Sequence, residues 1–101
     1  MSSEIEFTRV PGEKKSWNLK LYALSTCGHC HRVMEFLKDH SIEFEYVYVD
    51  NVDREIIKKL RADLKEKFGR VVSYPFLVVD DEKFLLGFIE AKYKEMFNVR
   101  F

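Results

Sequence analysis

A chain of 101 residues has room for one core, and 17 basic residues set against 17 acidic ones leave no net field to draw it to nucleic acid or to an anionic membrane. Apolar residues make up 47% and aromatics 15%, nine of them phenylalanine, so a compact phenylalanine-rich core is within reach. No stretch approaches the roughly 20 apolar residues of a membrane span, and a small domain with monomer as its default state is expected.

Residues 1–18 are polar and contain Pro11-Gly12 and Glu13-Lys14-Lys15, which reads as a loosely structured arm ahead of a domain spanning 19–101. Within it Ile5 to Val10 alternates and offers a short edge strand, and Trp17 is a candidate anchor. Leu19 to Leu24 is a mostly apolar strand that delivers Cys27-Gly28-His29-Cys30 to the start of a helix. Val33, Phe36, Leu37 and His40 recur at helical spacing, so residues 28–40 form that first helix. Glu43 to Val49 is the second strand, with Phe44, Tyr46 and Tyr48 on one face.

Asp50 to Asp53 opens a second helix, whose stripe Ile56, Leu60, Leu64 and Phe68 runs to a stop near Gly69. Its charges, Lys58, Lys59, Arg61, Lys65, Glu66 and Lys67, form a solvated face, with a basic docking surface as the sharper alternative. Pro75 lacks an amide donor and therefore opens the strand Phe76 to Val79. Asp80-Asp81-Glu82 turns the chain, Lys83 to Leu86 returns as a hairpin partner, and Gly87 precedes a third helix built on Ile89, Tyr93, Met96 and Phe97. The order β-α-β-α-β-β-α gives an α/β fold, with parallel first strands and a hairpin completing a four-stranded mixed sheet flanked by helices.

The chemistry sits in Cys27 and Cys30, the two cysteines of the chain. Three positions apart at a helix start, they lie about one turn from each other and can close a disulfide with little rearrangement. Cys27 faces the free amides and positive end of the helix, which favour thiolate over thiol, and is the attacking sulfur. Cys30, one turn in, is better shielded and resolves the mixed disulfide. His29 between them, as a cation, stabilises the thiolate and tunes the pair toward the oxidising side. His31 reads as solvent-facing, and His40 as a helix-end residue suited to the dipole.

Three competing readings are weaker. A disulfide spanning so short a loop constrains the unfolded chain little, which argues against a purely structural bridge. Zinc, with His29, His31 or His40 joining the sulfurs, usually needs a second Cys or His pair. Cys27 to His31 also satisfies the c-type haem pattern, but attachment requires export, and residues 1–20 carry Glu4, Glu6 and Glu13 with no signal-like apolar run. Two cysteines without an export signal fit a reducing compartment, the cytoplasm.

A CxxC after the first strand, Pro75 opening the third and Gly87 after the fourth resemble, in that order, a thioredoxin-fold protein of the glutaredoxin group, over Leu19 to about Phe97. The resemblance implies a small thiol-disulfide oxidoreductase, with Cys27 as nucleophile and Cys30 resolving. It also implies a cis bond before Pro75, and Tyr74 backbone groups that pair with a substrate strand. Thr26, Tyr74, Pro75, Gly87 and Phe88 would border the substrate groove. No cofactor is required; partners would be disulfide-containing proteins and a reductase or low-molecular-weight thiol as electron donor.

Several positions depart from glutathione-binding members. Leu24 stands where they carry lysine, and Gly87-Phe88-Ile89-Glu90 replaces their Gly-Gly-acid run. Gly87-Phe88 is closer to the NrdH-redoxins, while the Gly-His dipeptide resembles protein disulfide isomerase sites and glutaredoxin-like proteins of methanogens offer a further comparison. Thr26 replaces the tryptophan of thioredoxins, and Leu19 to Thr26 holds no carboxylate, leaving His29, His31 or solvent to move the proton. The alternative from another class is a module that holds zinc or an iron-sulfur cluster on the two thiolates.

Overall fold

A computed structural model describes residues 5–98, which form five strands and three α-helices. In chain order these are β1 (Thr8–Val10), β2 (Leu19–Ala23), α1 (Gly28–Asp39), β3 (Phe44–Tyr48), a 3-10 turn (Val49–Asn51), α2 (Arg54–Phe68), β4 (Phe76–Val79), β5 (Lys83–Leu86) and α3 (Glu90–Phe97). The sheet runs β1-β3-β2-β4-β5, with β2 and β3 parallel and every other pairing antiparallel. The central strand β2 is covered on both faces, which is why it reads as a nearly unbroken apolar run.

Alternation along β2 sends Leu19, Leu21 and Ala23 to the face covered by α1 and α3, and Tyr22 to the face covered by α2. On the first face α1 buries Cys30, Val33, Met34, Phe36 and Leu37, and α3 buries Tyr93 and Phe97. The start and stop of α2 follow local chemistry. The Asp53 carboxylate accepts the Glu55 amide at 2.9 Å, and Gly69 takes a left-handed φ of 71° while donating to Lys65 O at 2.7 Å.

Five strands rather than four make up the sheet. The additional one is β1, paired antiparallel along β3 with Arg9 opposite Glu45. It covers backbone groups on β3 that would otherwise face solvent. A strap behind it completes the attachment. Lys14 donates to Ser41 O and accepts from the Glu43 amide, both at 2.9 Å, and Arg9 meets the Glu43 carboxylate at 2.8 Å. Gly12 passes so close to this loop that a Cβ there would stand 2.6 Å from Ser41 O. Ile5 is buried, Phe7 packs edge-on against Tyr22 at 5.7 Å and Trp17 against Phe97 at 4.9 Å, so residues 5–18 are docked on the sheet rather than loose. The first four residues of the arm lie outside the described residues.

Candidate active site

The turn after β2 is built so that a sulfur caps a helix. Cys27 donates its amide to Leu24 O at 3.1 Å and has extended φ and ψ of −91° and 116°, the geometry of an N-cap. Its Sγ accepts the Cys30 amide at 3.2 Å, taking the place a serine or aspartate oxygen usually fills. No acidic side chain occupies the first turn of α1 to oppose a negative charge there.

The two thiols, both free, sit in different surroundings. Cys27 is half-buried, whereas Cys30 has no exposed surface. Burial pushes the Cys30 thiol up to about 12, helped by its hydrogen bond with Cys27 and by the nearby charges of Cys27 and Asp50. Tyr93 and Tyr48 flank it. Burial raises both hydroxyls, with the Cys30 sulfur adding to the effect.

The segment carrying Tyr74 and Pro75 is laced to the Gly87 turn. The Tyr74-Pro75 bond is cis and Pro75 is fully buried. Gly87, with a left-handed φ of 73°, donates its amide to Pro75 O at 2.9 Å and accepts the Tyr93 hydroxyl on its own carbonyl at 2.9 Å. Cys27, Tyr74 and Phe88 all pack against the one buried cluster that includes Cys30 and Tyr93. The ring of Phe88 lies 6.0 Å from Phe36 and 5.1 Å from Tyr93, so it braces the α1–α3 seam while its backbone follows Gly87. Burial also raises the Tyr74 hydroxyl.

The other residues singled out in the sequence are at the surface or at the far end of α1. Thr26 and His29 are exposed, and His31 is exposed with its ring edge-on to Tyr48 at 6.4 Å. His40 caps the far end of α1, donating its amide to Phe36 O and resting its ring on Phe36 at 4.5 Å. Among the described residues no group of three or more His, Cys, Asp and Glu side chains converges as a metal site. No helix there is long and apolar enough to cross a membrane.

Two contributors escaped sequence reasoning. Asp50, read as part of a helix start, accepts the Ser25 amide at 3.0 Å and the Ser25 hydroxyl at 2.5 Å, which holds its carboxyl below the usual range. From the 3-10 turn after β3 it thereby pins the loop leading to Cys27. Tyr93 read only as a core position of the third helix. No local signal marks either role, because Asp50 lies 25 residues from Ser25 and the Tyr93 contact depends on how α3 docks.

The family model for glutaredoxin matches residues 19–84. No protein of curated function matches the sequence. Among solved structures, a glutaredoxin from Methanosarcina mazei Go1 is 29% identical with a TM-score of 0.76, covering 89% of this chain and 85% of its own. The methanoredoxin of Methanosarcina acetivorans is also 29% identical at a TM-score of 0.76, with 93% and 96% covered. A glutaredoxin from Archaeoglobus fulgidus reaches 35% identity at a TM-score of 0.69, with 81% and 87% covered. The fold is thus thioredoxin-like, with β1 added at one edge. The match over most of the chain and the presence of both cysteines place this protein in the glutaredoxin family, which supports a thiol-disulfide oxidoreductase role.

Proposed function

We propose that this protein exchanges protein disulfides by a two-thiol mechanism in which Cys27 attacks and Cys30 resolves. The observation that carries the reading is the asymmetry of the pair: a half-exposed sulfur at a helix N-terminus beside a fully buried thiol held protonated. The Cys27 thiolate attacks one sulfur of a substrate disulfide, and the other leaves as a thiolate that takes up a proton. In the mixed disulfide Cys27 carries no charge, so its contribution to keeping Cys30 protonated disappears. Cys30 then attacks the Cys27 sulfur, the bond from Cys27 to the substrate sulfur breaks, and the Cys30 proton passes to that sulfur, which leaves as a thiol. The Cys27–Cys30 disulfide is reset by a reductase or a low-molecular-weight thiol.

In this reading Thr26, Tyr74, Pro75, Gly87 and Phe88 border the groove, the Tyr74 backbone receives the substrate strand and His29 tunes the potential. The protein acts as a monomer in a reducing cytoplasm. Support comes from family membership and from the lacing of Pro75 to Gly87 beside the cluster that holds Cys27.

The test is turnover of a disulfide substrate by single-cysteine variants. Cys27→Ser should abolish turnover, while Cys30→Ser should complete the first step and accumulate a mixed disulfide visible by mass. Turnover that survives Cys27→Ser overturns the assignment. The potential of the pair then selects the donor class: about −200 mV fits a small thiol, and about −270 mV fits a thioredoxin-reductase-type donor.

A further inference from the structure

β5 ends the sheet on the side away from β1, and among the described residues only β4 pairs with it. The Gly87 amide bonds to Pro75 O, so the two-residue alternation of an antiparallel ladder turns the backbone amides and carbonyls of Phe84 and Leu86 away from β4, toward the open edge. An edge with apolar side chains and outward backbone groups is a template for one more strand. A cleft of about 340 Å³ runs along it.

The cleft is one-signed. Arg70, just past the end of α2, stands on one side of the strand, and Lys92 of α3 stands on the other beside Ile89, which is 50% exposed. No acidic residue lines it, and neither Arg70 nor Lys92 takes part in an ion pair among the described residues. At its Leu86 end the strand runs into Gly87, which Pro75 and Tyr93 hold against the cysteine-bearing cluster.

We propose that this cleft receives an extended acidic segment of the protein substrate as a further strand on β5, with its carboxylates between Arg70 and Lys92. The inference rests on the disulfide-exchange reading and names a specificity determinant for it: acidic residues flanking the reactive disulfide. Backbone pairing to Phe84 and Leu86 supplies affinity, and the two cations supply selection. A second copy of this chain is the poorer occupant, because its own β5, Lys83–Leu86, carries no carboxylate to place between Arg70 and Lys92.

The first measurement is single-turnover oxidation of the pre-reduced protein by two peptide disulfides, identical except for Asp/Glu or Lys flanks, with neutral bis(2-hydroxyethyl) disulfide as reference. The wild type should favour the acidic peptide by about three- to tenfold, as two exposed ion pairs allow, and the preference should shrink as salt is raised. Arg70→Glu combined with Lys92→Glu should invert it and leave the neutral disulfide unaffected. Equal rates for both peptides, or a preference that survives charge reversal, overturn the proposal. Failure to react with the neutral disulfide overturns the disulfide-exchange reading instead.

A second measurement reads docking without redox chemistry. A cysteine-free acidic peptide at saturating concentration should slow hydrogen exchange at the Phe84 and Leu86 amides. Unchanged exchange at both overturns the proposal. So does protection that rises with protein concentration in the absence of peptide, which assigns the edge to a second copy.

Discussion

The two faces of the sheet are finished to different standards. Beneath α1 and α3, seven helical side chains are buried against β2, β3 and β4, Cys30 among them. On the other face, Leu64 alone of the 15 residues of α2 is buried. There a cleft of about 710 Å³ remains between the Ile56, Leu60 and Leu64 stripe, Tyr22, and the docked arm at Ile5 and Phe7. Close packing holds atoms to one arrangement, and it is found on the face where Cys27 sits at a helix mouth and Cys30 is kept from water. The opposite face only has to cover the sheet, and its helix spends most of its length in solvent.

The largest expected contrast comes from truncating one apolar residue on each face. Leu37→Ala, at a fully buried position of α1, should cost about 2 to 5 kcal/mol in urea unfolding of the reduced protein. Ile56→Ala, half-buried at the wall of the cleft, should cost about 1 kcal/mol. Equal losses would break the comparison.

Proton linkage sharpens it next. The Cys30 thiol is raised in the folded state to about 12, against about 8.5 in an unfolded chain. Above the lower value the unfolded state releases a proton that the folded state keeps. Stability of the reduced protein should therefore fall with rising pH from about 8.5, by about 1.4 kcal/mol per unit. Between pH 8.5 and 10 the slope should be absent in Cys30→Ser and in the oxidised protein, as paired unfolding curves would show. Tyr22, pushed up to about 12 by burial, and Tyr93 add slopes of the same sign only above about pH 10.

Gly12→Ala tests the arm that helps to roof the α2 face. Its Cβ would meet the backbone of Ser41, Ile42 and Glu43 at 2.6 to 2.8 Å, so a loss of about 1 to 3 kcal/mol is expected. The rate with a small neutral disulfide should stay at the wild-type value, since the strap lies away from Cys27. Tyr93→Phe, which removes one hydrogen bond to Gly87 O, should cost about 1 kcal/mol by the same unfolding measurement, no more than Ile56→Ala.

Residues whose partners lie nearby in the chain declare their structure. β4 and β5 fall at Phe76–Val79 and Lys83–Leu86 as the apolar runs and the Asp80 to Glu82 turn require. α2 runs from the Asp53 cap to the Gly69 stop, and α1 ends one residue before the expected His40. The CxxC and its place at a helix start are legible for the same reason: periodicity, caps and turns are local. β1 was only a short alternation, and its register exists because β3 offers an open edge.

The sequence by itself therefore determined the elements other than β1, their order, the sulfur pair and the inequality between its members, because periodicity, helix spacing and the helix dipole act locally. Tertiary structure alone decided which carboxylate steadies the cysteine loop, which hydroxyl holds Gly87, why Gly12 must be glycine and that, among the described residues, β5 pairs with β4 alone and lies between two cations. Each of those joins groups from separate elements. Contacts of that kind form only when helices and strands dock, and neither side of the pair records its partner in its own neighbourhood.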